Sequence, residues 1–263
     1  MDIKELNVKT EDIKRNHPWE YARCKVIFHV LKNYIDTANA DKKTVLDIGC
    51  GDLFFINELY KKYPFLNPVA VDTAFDDELK QKLLSKYNGL PITLWNEIQE
   101  FKPHDNQTVS LILLMDVIEH IEKDTEFLSL VSSMNYIGKD TLFLITVPAF
   151  NRLFCSHDKW LGHYRRYSLK MLLKTIEKAG LQPVQSGYFF TSLLFPRLIQ
   201  KGVESFSKKE TEKVKGVGTW NKGKLLSSLF EKFLLCDFYF FRLFSFLGIK
   251  VPGLSTYVLC KQP

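Results

Sequence analysis

Side chains able to move a proton or hold an anion crowd into one short stretch of the chain: His157, Asp158, His163, Arg165, Arg166 and Tyr167. An imidazole titrates near neutral pH, so His163 or His157 is a candidate general base for a hydroxyl acceptor. Asp158 would orient or stabilise that imidazole. Arg165 and Arg166 carry planar, permanently charged forks suited to an anionic group such as a phosphate. A second acid–imidazole pair, Glu119-His120, follows an apolar run. By itself it reads as the acidic first turn of a helix. Cys155, His157 and His163 are zinc-binding types, but no fourth ligand is spaced to complete a site, and no metal is expected.

The element that must position this chemistry is the stretch Thr44-Val-Leu-Asp-Ile-Gly-Cys-Gly-Asp52. Val45, Leu46 and Ile48 read as a buried strand, Gly49 and Gly51 as a tight turn, and Phe54, Phe55, Leu59 and Tyr60 as the apolar face of a helix. Strand, glycine turn and helix open a Rossmann-like βαβ unit, in which the turn lets a ligand approach the backbone closely. A second strand, Val69-Ala-Val-Asp72, ends in a carboxylate. The spacing 72 − 51 = 21 is close to the roughly 20 positions expected for an acid that binds ribose hydroxyls. Phe54 stands where a dinucleotide fingerprint has its third glycine, and no Gly-Lys-Ser/Thr follows, so NAD and a P-loop are both disfavoured. An adenosine ligand without phosphates remains.

With these residues in place, Val-Leu-Asp47-Ile-Gly49-Cys50-Gly51 resembles the first motif of class I S-adenosylmethionine-dependent methyltransferases, and Val-Asp72 resembles their second. The resemblance extends from His17 to the last strand. It implies S-adenosylmethionine as cofactor and S-adenosylhomocysteine as product, with Asp47, Gly49, Cys50, Gly51, Asp72 and Thr73 at the cofactor. Asn96, after the third strand, takes the place of an adenine-contacting acid or amide. Met115 and Asp116, after the fourth, would also line the cofactor, and His120 would stand near the methyl group. The run Asp158-x4-His163-x-Arg165-Arg166-Tyr167 resembles a subgroup acting on quinone-like, lipid or glycan-linked acceptors, which implies acceptor binding by Arg165, Arg166 and Tyr167. A His-x-Trp…Arg pattern, here His17, Trp19 and Arg23, occurs in one subgroup, so Trp19 and Arg23 are substrate candidates; an ordinary amphipathic helix with a buried Trp explains them equally. The acceptor atom is expected to be oxygen or carbon, since Met115-Asp-Val-Ile stands where an amino-methylating signature would be. A non-catalytic scaffold of the same fold, or an RNA methyltransferase, are the alternatives. The second needs a basic face with stacking aromatics, so nucleic acid is not the expected partner.

The chain has 263 residues and a formal charge of +6, length enough for a substantial core. Its five cysteines are scattered and odd in number, as suits reduced thiols in a cytoplasmic protein. The first residues show no signal-peptide pattern, and no uncharged apolar run reaches membrane-spanning length. Residues 1–16 read as polar and loose. Pro18 opens a helix within 17–40. Strands follow near 91–95, 109–114, 141–147, 181–190 and 255–261, with helices over 124–136 and 169–179. The expected fold is α/β: a Rossmann-like, seven-stranded, mostly parallel sheet with helices on both faces, an antiparallel last strand, and a helical insertion before it. One domain spans 1–263, its core 44–190 and 255–261, its insertion 191–254. Within the insertion, 207–224 holds six Lys and two Glu, a balance of +4. Residues 225–247 are almost wholly apolar and must be covered: as a lid on the sheet edge, as a homodimer interface, or as an interfacial helix on a membrane that would make the protein peripheral and hold it over a lipid-linked substrate.

Overall fold

The computed structural model describes residues 17–35, 43–103, 108–206, 220 and 222–263. The expectations for 1–16, for the end of the first helix over 36–40, for the polar loop at 104–107 and for most of the basic stretch 207–219 lie outside the described residues.

Alternating apolar runs and helical patterns build one sheet. Its strands are β1 (Lys43–Ile48), β2 (Leu66–Val71), β3 (Thr93–Trp95), β4 (Val109–Met115), β5 (Leu142–Pro148), β6 (Gln182–Phe189) and β7 (Ser255–Lys261). The order across the sheet is β3-β2-β1-β4-β5-β7-β6. β1 to β5 pair in parallel, whereas β7 runs antiparallel to both β5 and β6. β4 is apolar throughout its centre, as a strand covered on both faces must be; Leu111, Ile112, Leu113 and Leu114 are all buried.

Helix α1 (Pro18–Leu31) begins with Pro18 and a capping box, His17 accepting from the Trp19 amide at 3.2 Å and Glu20 accepting from the His17 amide at 2.8 Å. With α2 (Phe54–Lys62) it covers one face of the sheet, around Val26, Ile27, Leu31, Leu59 and Leu113. On the other face α4 (Asp124–Ser132) and α6 (Leu169–Lys178) bury Leu128, Val131, Leu172 and Ile176 against Ile112, Phe143 and Ile145. Helix α3 (Asp77–Lys86), for which the sequence offers only three leucines, buries Leu83 alone among them, and Asp76 caps it. A short α5 (Ser156–Leu161) forms between β5 and α6.

The insertion is two helices, α7 (Leu194–Phe206) and α8 (Lys224–Leu243), closing with a turn at Phe244–Leu247. α8 packs on α1 through Leu234 and Phe238. Asp237 departs from the apolar face in which it sits because it is a cap: its carboxylate accepts the Thr191 and Ser192 amides at 2.9 and 2.8 Å. The rest of the apolar surface stays in the open. Phe195, Leu198, Ile199 and Val203 of α7 and Leu225, Leu226, Leu229, Phe233, Phe240 and Leu243 of α8 are all more than half exposed.

Candidate functional site

The carboxyl ends of β1, β2, β4 and β5 lie side by side, and the sequence-predicted residues gather there. Gly49 follows β1 with φ +69°, and a Cβ on it would stand 2.6 Å from Val117 Cγ2. Only glycine lets the turn after β1 pack against the turn after β4. The Gly51 amide donates to Asp72 Oδ2 at 2.9 Å, and the Ala74 amide to Oδ1 at 3.0 Å. These bonds fix the Asp72 carboxylate at the end of β2, where each oxygen can accept more than one bond. Thr73 beside it is exposed.

Asp47 lies one step before this turn and is fully buried. Neither of its carboxylate oxygens has a hydrogen-bond partner among the described residues. Burial pushes its carboxyl up to about 7. A buried acceptor without a donor, next to a glycine turn, fits a ligand that carries positive charge, as S-adenosylmethionine does in its ammonium and sulfonium. The Cys50 thiol is buried and pushed well up by that burial, so it acts as packing rather than as a reactive group. The Asn96 amide is engaged inside the protein, donating to the Phe75 carbonyl and accepting from Lys80 Nζ. Trp95 N–H is buried and has no hydrogen-bond partner among the described residues.

Arg23 reaches from α1 across the sheet end. It pairs with Asp116 Oδ2 at 2.7 Å and donates to Thr146 Oγ1 at 2.7 Å, with its guanidinium 5.6 Å from the centre of the Trp19 ring. Asp116 holds a left-handed conformation at φ 59°, and Phe150, past the end of β5, another at 60°. Strained non-glycine residues at two adjacent strand ends mark a region whose geometry is set by its surroundings. Met115 is half-buried beside them.

The loop after β5 is organised by Asp158, which has no exposed surface. Its carboxylate accepts from the Cys155 amide (2.9 Å), Arg166 Nε (2.8 Å) and Arg197 Nη2 (2.9 Å), and faces His163 Nδ1 at 3.0 Å. Burial alone would raise the carboxyl, but His163 and Arg166 reverse this and hold it well below the usual carboxylate range. An ionised Asp158 requires Nδ1 to carry the hydrogen, which leaves Nε2 of His163 as the ring's acceptor. The His163 ring stands edge-on to His120, centroids 4.5 Å apart. The Tyr164 amide donates to the Glu119 carbonyl at 2.8 Å and ties this loop to the turn Ile118–His120. Glu119 itself is fully buried, and burial and Asp116 push its carboxyl well up.

The remaining candidates are placed differently from the expectation. Arg166 and Tyr167 are buried. Arg166 neutralises Asp158 instead of facing solvent. Arg165 pairs with Asp124 at 2.8 Å and donates to the Glu122 carbonyl at 2.7 Å, and Tyr167 donates to the same Asp124 carboxylate at 2.6 Å. Arg165 and Tyr167 hold the loop to α4 and Arg166 holds it to Asp158, so an acceptor anion meets neither Arg166 nor Tyr167 in this conformation. His157 stacks on Trp160, and burial and Arg197 lower its affinity for a proton. Two partners escaped the sequence reading. Arg197 had a signal, a single cation in the apolar run Phe195–Ile199. Asp124 had none beyond its place at a helix start.

A family model described as a methyltransferase domain matches residues 19–186. No curated protein matches the chain in sequence. Among solved structures, the chain is similar to a SAM-dependent methyltransferase from Archaeoglobus fulgidus, at 16% identity and a TM-score of 0.51, over 91% of this chain and 94% of that one. It is similar to a coclaurine N-methyltransferase bound to N-methylheliamine and S-adenosylhomocysteine, at 18% identity and a TM-score of 0.54, over 96% of this chain and 76% of the other. It also resembles a Haemonchus contortus phosphoethanolamine N-methyltransferase in complex with S-adenosylmethionine, at 15% identity and a TM-score of 0.52, over 90% of this chain and 52% of that protein.

Proposed function

The chain belongs to the class I S-adenosylmethionine-dependent methyltransferases, and on that premise we propose that its acceptor is a hydroxyl on a lipid-linked molecule met at a membrane surface. The cofactor is S-adenosylmethionine, which when bound supplies a methyl group already activated on sulfonium. Asp47, the Gly49-Cys50-Gly51 turn and Asp72 would hold it, with Asp116 and Arg23 closing the neighbouring strand ends. His163, steered by Asp158, would accept the acceptor's proton on Nε2 as the new oxygen–carbon bond forms and the carbon–sulfur bond breaks, releasing S-adenosylhomocysteine. His120 completes the wall beside it.

The observation that carries the choice of acceptor is the join between this loop and the exposed apolar helix. Arg197 of α7 donates to Asp158, and Glu204 of α7 accepts from the Ser156 amide and hydroxyl at 3.2 and 3.0 Å. The helix whose outer face carries Phe195, Leu198, Ile199 and Val203 is therefore bonded to the loop that carries His163. Apolar faces of this extent on α7 and α8 mark a surface that meets something apolar. The chain between them is rich in lysine, and each basic residue near anionic lipid contributes about 1 kcal/mol. No described helix is long and apolar enough to cross a membrane, so the helices would lie in the interface.

The test is to incubate the protein with labelled S-adenosylmethionine and a lysate split into lipid, RNA and small-molecule fractions, alongside sedimentation with anionic vesicles. Label in the lipid fraction, and vesicle binding that weakens with salt and is lost in Leu229→Glu with Phe240→Glu, are expected. Label only in RNA or water-soluble fractions, or a protein that stays in the supernatant at low salt, would overturn the lipid reading.

A further inference from the structure

We propose that Glu119, His120 and His163 form a binding site for a divalent transition-metal cation. One ligand atom from each lies within 4.8 Å of the other two. They come from separate parts of the chain, two from the turn after β4 and one from the loop after β5, and the Tyr164–Glu119 backbone bond holds the two pieces together. Spacing along the chain therefore does not reveal the trio: the expectation of no metal rests on Cys155, His157 and His163, which lack a spaced fourth ligand.

Two independent features point to a cation. Glu119 is fully buried, and neither carboxylate oxygen has a hydrogen-bond partner among the described residues. Burying a carboxyl without a donor is costly, and a cation bound by it removes that cost. His163 is also prepared as a ligand. Asp158 accepts its Nδ1 hydrogen at 3.0 Å, so Nε2 is the nitrogen left to ligate, the carboxylate–imidazole arrangement that orients metal-bound histidines and raises their basicity. Two imidazoles and one carboxylate suit zinc, manganese, iron(II) or cobalt(II) better than magnesium or calcium, which prefer oxygen donors throughout. Three protein ligands leave a position open. The inference rests on the methyl-transfer reading only in its consequence: with the cation bound, His163 is a ligand and not the base, and an acceptor hydroxyl in the open position would give its proton to solvent.

The experiment uses chelator-stripped full-length protein, titrated with cobalt(II) alone and followed by visible absorption, then challenged with zinc(II). A single saturable site per chain is expected, displaced by zinc. Glu119→Gln and His120→Ala should each weaken cobalt binding about tenfold or more. Zinc should raise the Tm of the wild type and raise that of Glu119→Gln less at the same concentration. Binding of S-adenosylhomocysteine, measured in chelator, should persist in both variants, which shows that they fold. Absence of a cobalt spectrum and of any zinc-induced Tm shift in the wild type overturns the site, as does wild-type cobalt affinity in Glu119→Gln. Loss of S-adenosylhomocysteine binding by the wild type would count against the methyltransferase reading alone, and the metal titration would stand apart from it.

Discussion

Replacing Asp158 by Asn removes one negative charge from the centre of a buried array and leaves Arg166 and Arg197 facing each other across a neutral amide. The carboxylate serves four donors between 2.8 and 3.0 Å: the Cys155 amide, His163 Nδ1, Arg166 Nε and Arg197 Nη2. An amide oxygen can serve at most two of them, and its NH2 group meets donors where it needs acceptors. Removing one partner of a buried ion pair costs about 3–5 kcal/mol, because the uncompensated charge remains. Arg166 is only 5% exposed, so the charge left behind is largely shielded from water and the full range applies. For a chain of this length the corresponding fall in Tm is roughly 6–20 °C. Urea unfolding followed by circular dichroism reads the free energy directly. The comparison is His163→Ala, which leaves both arginines paired and should cost about 1.5–3 kcal/mol, the worth of one hydrogen bond to a charged group, while turnover falls by about 10² or more if proton transfer matters. The sign with pH follows from the depressed carboxyl of Asp158. The unfolded carboxyl titrates near about 4. The stabilisation is present above that pH and is lost as pH falls below it toward the lower folded value. A loss of less than about 1 kcal/mol in Asp158→Asn, or an acid limb identical to that of the wild type, would refute the view that this carboxylate holds the loop together.

Asp72→Ala should weaken S-adenosylhomocysteine binding by roughly ten- to a hundredfold, since hydrogen bonds to a charged carboxylate contribute about 1.5–3 kcal/mol; calorimetry on the two proteins checks it, with NADH giving no heat in either. Asp47→Asn should flatten the pH dependence of stability between about 4 and about 7. With its folded pKa raised, Asp47 binds more protons folded than unfolded in that window, so wild-type stability falls as pH rises through it and the neutral variant escapes that fall. Urea unfolding at several pH values measures the difference.

Several elements were legible from residue order alone. The run Val45 to Gly51 with Asp72 specified strand, turn and acid because local needs coincide there: apolar residues for a covered strand, a residue without Cβ where φ is +69°, and a carboxylate at the next strand end. The strand–helix alternation specified the parallel sheet, and the antiparallel edge came with the resemblance. Helix α3 escapes a reading of the sequence because its apolar side is only Leu79, Leu83 and Leu84, of which it buries Leu83 alone. Tertiary structure alone decided what the charged residues do. Arg165, Arg166 and Tyr167 have the composition of an anion-binding loop, yet their partners Asp124 and Asp158 lie within the protein, and a side chain cannot declare from its own position whether its counter-charge is internal or a ligand's. Asp237 stands in an otherwise apolar helix face because the fold brings it the Thr191 and Ser192 amides that it accepts. Glu119, His120 and His163 meet only because the turns after β4 and β5 are neighbours in the sheet, a relation fixed by strand order and invisible in spacing along the chain.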